Sequence, residues 1–274
     1  MTTMETLALG IVTDEISSDI EVALHQAAQW NISLFELRVV GTGRVPFIAE
    51  EDAVKIDCAI RNDGITITAL SPGIFKHPLT QADAIEHELA DTLPKTIEMA
   101  RRFGARVIIV FGFQRLPQDD ESLRRLAVGY MARAADLAAA SDIVIAIENE
   151  PGFWCDTGAH TAALLKKINS PHLCANWDPA NALGTDEVPF PNGYKALKPY
   201  IANVHVKDTI EGSLLRCVPV GEGKIPWKDH VKALLEDQIV SHITIETHCL
   251  PLVEQSEKNI RTLRTYMEEL HQSL

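Results

Sequence analysis

Four residues stand where apolar segments turn polar in the second half of the chain: Glu148 after Ile147, Asp178 after Trp177, His205 between Val204 and Val206, and Glu246 after Ile245. Three carboxylates and an imidazole form an oxygen and nitrogen donor set of the kind that holds one divalent metal ion (Mn2+, Mg2+, Co2+ or Zn2+) rather than a thiolate-bound one. Spacing matters as much as type, because successive residues of a strand point to opposite sides. Ile143, Ile145 and Ile147 share one side, and Val144, Ala146, Glu148 and Glu150 the other. In the same way Leu173, Ala175 and Trp177 oppose Cys174, Asn176 and Asp178. Val204 and Val206 oppose Asn203, His205 and Lys207, and Ile243 and Ile245 oppose His242, Thr244, Glu246 and His248. Each ligand-type residue therefore lies on the less apolar side, at the C-terminal end of its segment. Carboxylates gathered in a partly dry pocket repel one another, and a bound cation resolves the conflict. Singly, each residue reads as well as an interior salt bridge or a helix cap; together, on consecutive segments with one parity, they read as a metal site.

Such convergence requires a scaffold that brings strand ends to one place. Short segments rich in Val, Ile and Thr alternate with longer helical patterns throughout, as in repeated β-α units around a parallel sheet. Strands are expected at Leu7–Val12, Ser33–Arg38, Ile65–Leu70, Arg106–Phe111, Ile143–Glu148, His172–Trp177, Ala202–Val206 and Ile243–Glu246. Helical patterns occupy Asp19–Trp30, Glu51–Asn62, Ala82–Phe103, Glu121–Ala140, Lys228–Asp237 and Leu252–Leu270. Eight units within 274 residues predict an α/β protein, a (β/α)8 TIM barrel, whose active sites form at the C-terminal ends of the strands. The main competitor is an open doubly wound sheet, whose dinucleotide-binding form needs G-x-G-x-x-G after a strand. Gly221 and Gly223 lack the third glycine. No Pro/Gly/Ser-rich linker divides the chain, so residues 1–274 are expected to form a single domain.

The formal net charge of -13 argues against nucleic acid as the main partner, since that affinity comes from neutralising phosphates with Lys and Arg. No segment approaches the roughly 18 apolar residues of a membrane span, and Met1–Glu5 lacks the basic and apolar regions of a signal peptide. A cytoplasmic location without a membrane partner is expected. The five cysteines form no C-x-x-C pair and suggest neither a disulfide framework nor a thiolate metal site.

An ordered series of short motifs runs along the chain: T-D-E-I-S (13–17), A-L-S-P-G-I-F-K (69–76), A-I-E-N-E (146–150), N-W-D-P-A-N (176–181), H-V-K-D (205–208), R-C-V-P-V-G-E-G (216–223) and I-E-T-H (245–248). The series resembles the xylose isomerase-like barrel superfamily, in particular its sugar phosphate isomerase/epimerase branch. The resemblance implies metal ligation by Glu148, Asp178, His205 and Glu246, and a substrate contact from Arg216. Many relatives carry His where Glu150 and Asn181 stand here, departures that leave the ligand set intact.

A hydroxyketone held by such an ion through its carbonyl and a neighbouring hydroxyl has an acidified carbon between them, and the product of proton abstraction is a metal-stabilised enediolate. Glu148 and Glu246, on separate strands, are the candidate catalytic acid and base. Returning the proton to the opposite face gives an epimer, returning it to the adjacent carbon exchanges aldose and ketose, and losing a β-hydroxyl gives dehydration. The expectation is a metal-dependent isomerase or epimerase of a small sugar or sugar phosphate, with a dehydratase of a keto sugar or inosose as the alternative. Abasic-site endonucleases of the superfamily need further His ligands for several zinc ions and a basic DNA face, neither of which is evident. Relatives often pair through barrel helices and loops, so a homo-oligomer is compatible.

Glu15, Arg38, Lys76, Arg115 and Lys207 all follow expected strands, where a sugar hydroxyl or phosphate would sit. Lys207, Lys76 and Glu15, with Asn181 and Arg216, are the candidate substrate-binding residues. Arg38 is expected to bridge Glu36 inside the barrel. The Gly221 and Gly223 turn is either a phosphate nest or an ordinary tight turn. Trp154 and Trp177 are expected to pack rather than wall the pocket. His25, His160, His230 and His271 are expected at helix surfaces, and H-E-L-A-D (87–91) as a solvated helix face.

Overall fold

A computed structural model describes residues 7–210 and 216–272. Eight parallel strands form its centre: β1 (Ala8–Val12), β2 (Leu34–Leu37), β3 (Thr66–Leu70), β4 (Val107–Phe111), β5 (Val144–Glu148), β6 (Leu173–Trp177), β7 (Ile201–Val206) and β8 (His242–Ile245). They close in the order β1-β8-β7-β6-β5-β4-β3-β2, with Gly10 of β1 opposite both Leu34 and Thr244. The chain is thus a single-domain TIM barrel, and each observed strand boundary lies within one residue of the expected one.

The helices that cover the barrel are α1 (Ile20–Gln29), α2 (Glu50–Asn62), α3 (Leu93–Phe103), α4 (Arg124–Ala139), α5 (Gly158–Ile168), α6 (Tyr194–Leu197), α7 (Trp227–Asp237) and α8 (Leu252–Gln272). Local chemistry sets several starts. Asp19 caps α1, its carboxylate accepting the amides of Glu21 and Val22 at 3.0 and 3.3 Å. The expected single helix over 82–103 is instead Ala82–His87, a wide π-type turn at Glu88–Thr92, and then α3. Pro94 has no amide for the carbonyl one turn back, and the wide turn before it takes up the missing bond. The turn also rotates Glu88 inward, contrary to the solvated face expected for 87–91. Glu88 is buried and accepts the Phe75 amide at 2.9 Å.

The parity pattern survives in three dimensions. Ile145, Ile147, Ala175, Trp177, Val204, Val206, Ile243 and Ile245 belong to the large core between sheet and helices. Ala69, Ile109 and Ala146, with Val107, make a small separate cluster inside the barrel. The interior is therefore lined with small or polar side chains toward its C-terminal mouth, which leaves room for a site. All five cysteines are free, and among the described residues no helix is long and apolar enough to cross a membrane.

His230 departs from its expected surface position. It is fully buried on α7, with ring centroids 4.4 Å from Phe190 and 5.3 Å from Trp227. Burial pushes its pKa down to about 4. Between the ordinary histidine pKa and that value the unfolded chain binds a proton that the folded chain refuses, so stability falls as pH falls from about 6.5 to 4. The full difference is about 3 kcal/mol. His230→Phe keeps the ring and removes the proton site. Urea titrations at pH 7 and pH 4.5 should show a smaller acid-induced loss for the variant than for the parent; equal losses would refute the assignment.

Candidate metal centre

The mouth of the barrel gathers the four residues singled out at the strand ends. Glu148 ends β5, Asp178 follows β6, His205 lies in β7 and Glu246 follows β8. One ligand atom from each falls within 4.8 Å of every other, and all four residues are buried. Neighbouring strands set this register: Glu148 is level with Asn176, Asn176 with Asn203, and Thr244 with His205. Asn203 Nδ2 donates to Asn176 Oδ1 at 3.0 Å and forms a polar floor beneath the cluster.

His205 is aimed by Glu36 of β2. Its Nε2 lies 2.8 Å from Glu36 Oε2, which places the ring proton there and leaves Nδ1 as the free face. Nδ1 is 3.7 Å from Glu148 Oε1 and 3.5 Å from Glu246 Oε2, and it is buried without a hydrogen-bond partner. A histidine whose remote nitrogen is tied to a carboxylate while the other faces three acidic groups has the arrangement found around metal ligands.

Asp178 divides its oxygens between two tasks. Oδ1 accepts the amides of Ala180 and Asn181 at 2.9 and 3.0 Å and caps the short helix Pro179–Ala182. Oδ2 faces the cluster, with Lys207 Nζ at 2.8 Å but off the line of a hydrogen bond. The loops after β5 and β6 are clamped together, since Asn149 donates to Asp178 O at 2.8 Å and accepts the Asp178 amide at 2.9 Å.

Glu246 is the most heavily engaged of the four. Arg38 Nη1 lies 2.7 Å from Oε1 and Lys207 Nζ 3.0 Å from Oε2. Burial by itself would raise its pKa, but Lys207, His248 and His205 hold it well below the ordinary carboxylate range. Burial raises Asp178 despite Lys207, whereas at Glu148 the neighbouring His205 overcomes burial and lowers it. Among the described residues Glu150 has no cation in contact, and burial followed by the Glu148 charge pushes it up to about 7. Burial alone would lower His205, yet Glu36, Glu148 and Glu246 hold it well above the usual histidine value, so that without a cation Nδ1 carries a second proton, which a bound ion would replace.

The other expected site residues are placed as follows. Lys207 is 2% exposed, with its ammonium between Asp178 and Glu246. Asn181 is fully buried, its Nδ2 within hydrogen-bond distance of Glu148 Oε1, Glu150 Oε2 and the Asn149 carbonyl. Glu15 is buried, with Oε1 2.7 Å from Arg38 Nη2 and Oε2 accepting the His248 amide at 2.9 Å. Lys76 is exposed, its ammonium 3.8 Å above the Phe111 ring. Arg216 is exposed beside residues 211–215, which lie outside the described residues, and its carbonyl accepts from Thr209 Oγ1 at 3.4 Å. Arg115 stacks 4.5 Å above Trp154, and both Trp154 and Trp177 are packed in the core.

One expectation is corrected and one alternative decided. Arg38 does not bridge Glu36; it joins Asp14, Glu15 and Glu246 at 2.9, 2.7 and 2.7 Å, while Glu36 serves His205. The Gly221 and Gly223 amides are already occupied by an anion of the chain itself. Asp208 Oδ2 accepts both, at 3.0 and 3.1 Å, and Oδ1 accepts Thr209 and Ile225 at 2.9 and 3.1 Å. A Cβ on Gly223 would overlap Asp208 Oδ1, which is why glycine stands there. Sequence reasoning missed Glu36 as the partner of His205. Its signal was a lone carboxylate inside the apolar run Leu34–Leu37.

The donor set and the unpartnered His205 Nδ1 fit a divalent cation held by oxygen and nitrogen. No curated protein matches the sequence. Among solved structures the chain is similar to the IOLI protein with a binding zinc atom, at 15% identity and TM-score 0.79 over 96% of this chain and 98% of that one. It is also similar to the probable 3-DHS dehydratase AsbF of Bacillus anthracis, at 16% identity and TM-score 0.78 over 94% and 99%. A third is D-allulose 3-epimerase from Methylomonas sp. in complex with D-allulose, at 16% identity and TM-score 0.74 over 96% and 98%. At such identities the likeness is one of fold, but a family model spans most of the sequence, matching residues 24–270. The chain belongs to the xylose isomerase-like TIM barrel family.

Proposed function

We propose that the protein is a divalent-metal-dependent isomerase or epimerase of a small sugar or sugar phosphate, acting by proton transfer at the carbon next to a carbonyl. The observation that carries this reading is the buried set of Glu148, Asp178, His205 and Glu246 at the barrel mouth, with His205 Nδ1 left unpaired. These residues would hold the ion, which when bound supplies Lewis-acid stabilisation of negative charge on a carbonyl oxygen. Glu36 holds His205 in the tautomer that presents Nδ1. Arg38 and Lys207 keep Glu246 ionised and fixed from two sides. Asn181 fixes Glu148 through its Oε1. Glu148 and Glu246 reach the site from β5 and β8, so one takes a proton from a bound hydroxyketone and the other delivers one. The similarity to a D-allulose 3-epimerase supports a polyhydroxy ketone as substrate.

A dehydratase is the second reading, favoured by one contact. Lys207 Nζ lies 3.0 Å from Glu246 Oε2, an ammonium beside the proposed base that can protonate a departing hydroxyl. The similarity to a probable dehydratase points the same way. Incubation of the metal-loaded protein with ketoses, ketose phosphates and inosose in D2O separates the two. Deuterium at carbon without loss of water is the expected result. Loss of a hydroxyl selects the dehydratase, and a protein that binds no metal and exchanges no deuterium refutes both. Chelation should abolish exchange and re-addition of Mn2+ or Mg2+ should restore it.

A further inference from the structure

Two arginines flank the short hairpin Val39–Val40/Gly43–Arg44 that follows β2, and their situations are opposite. All three side-chain nitrogens of Arg38 meet carboxylates. Arg44 is half-buried, uses Nε to donate to Ser71 O at 3.0 Å, and finds no partner among the described residues for either terminal nitrogen. Its surroundings are built to hold it there. Ser71 directly follows β3, and Gly73 lies flat beneath the guanidinium, where a Cβ would come within 2.8 Å of Arg44 Nε. Gly73 has φ +77°, a left-handed conformation natural to glycine, so the loop is shaped around the guanidinium. Asp14, Glu36 and Glu148 are within electrostatic reach but not in contact, Asp14 being engaged by Arg38 and Glu36 by His205.

A half-buried cation without a counter-charge is costly, and a hydroxyl does not neutralise it. The free edge of a guanidinium matches the paired oxygens of a carboxylate or phosphate. We infer that Arg44 is a substrate-binding residue that grips an oxyanion of the substrate, a carboxylate or a phosphate, at the mouth of the barrel. The substrate class narrows accordingly to acidic hydroxyketones, either keto sugar acids or sugar phosphates. That narrowing rests on the proposed activity, whereas the anion site itself does not.

Calorimetric titration of the metal-loaded protein with glycerate, glycerol 3-phosphate and glycerol separates the chemistries. One of the two anions should bind more tightly than glycerol and so name the source of the oxyanion. Arg44→Gln should weaken that anion by about 10- to 100-fold and leave glycerol unchanged. Gly73→Ala, which displaces the guanidinium without removing it, should weaken the anion in the same direction. Failure of both anions to bind more tightly than glycerol, undiminished anion binding in Arg44→Gln, or an equal fall for glycerol would overturn the assignment. Should Arg44-dependent anion binding coexist with no turnover of any ketose, ketose phosphate or keto sugar acid, the proposed activity fails while the anion site stands.

Discussion

Replacing Glu246 with Gln is expected to lower turnover of the native substrate by about 10^3-fold or more, because the change removes a proton acceptor and weakens a ligand at once. Its consequences are more specific than a loss of rate. With Glu148 intact, hydrogen on the carbon face served by Glu148 still exchanges with solvent, whereas hydrogen on the Glu246 face does not. The variant should therefore incorporate deuterium from one epimer only and release almost no product. Glu148→Gln should show the mirror pattern. A Glu246→Gln enzyme with full metal occupancy and unchanged turnover would remove Glu246 from the reaction. Arg38 and Lys207 explain why the variant is also expected to melt earlier. Both cations lie within 3.0 Å of Glu246, and neutralising it leaves the buried Lys207 and the half-buried Arg38 each short of a partner.

The sequence revealed the barrel because its signal is repetitive: eight apolar segments alternate with helical stretches, and each of the last four has one consistently bulkier side. Ile143, Ile145 and Ile147 could only be the face beneath the helices, which fixed Glu148 on the other. The candidate ligands were legible for the same reason, since alternation along a strand converts a position into a direction. What escaped notice is pairing between strands distant in sequence. Glu36 and His205 are 169 residues apart and Arg38 and Glu246 are 208 apart, and no local pattern says which interior acid meets which base. Arg38 was expected to bridge Glu36, two positions away on the same strand. Packing around the barrel instead put Glu36 against β7 and Arg38 against β1 and β8. For His230, a lone histidine on an amphipathic helix, the sequence carries no sign that Phe190, 40 residues earlier, stacks on it.

Asp208→Ala is expected to be the most damaging single change to the fold outside the metal cluster. Its two oxygens collect four backbone amides, from Thr209, Gly221, Gly223 and Ile225, and so tie the segment after β7 to the turn that leads into α7. Burial pushes the carboxyl pKa up while those four amides pull it back. Each hydrogen bond to a charged acceptor is worth about 1.5 to 3 kcal/mol, and the buried amides of Thr209 and Ile225 are left without a partner while water can reach those of Gly221 and Gly223. A summed loss of about 4 kcal/mol or more follows, which for a chain of this size lowers the melting temperature by roughly 8 to 16 °C. The damage reaches the site as well, because Lys207 precedes Asp208 and its carbonyl accepts Trp227 Nε1 at 3.0 Å. Asp208→Asn retains one acceptor for two of the amides and turns an NH2 toward the other two, so its melting temperature should fall between those of the parent and Asp208→Ala. Thermal unfolding of the three proteins side by side tests the order. A melting temperature for Asp208→Ala within about 2 °C of the parent, less than the loss of even one such bond would produce, would mean that the turn holds without its anion.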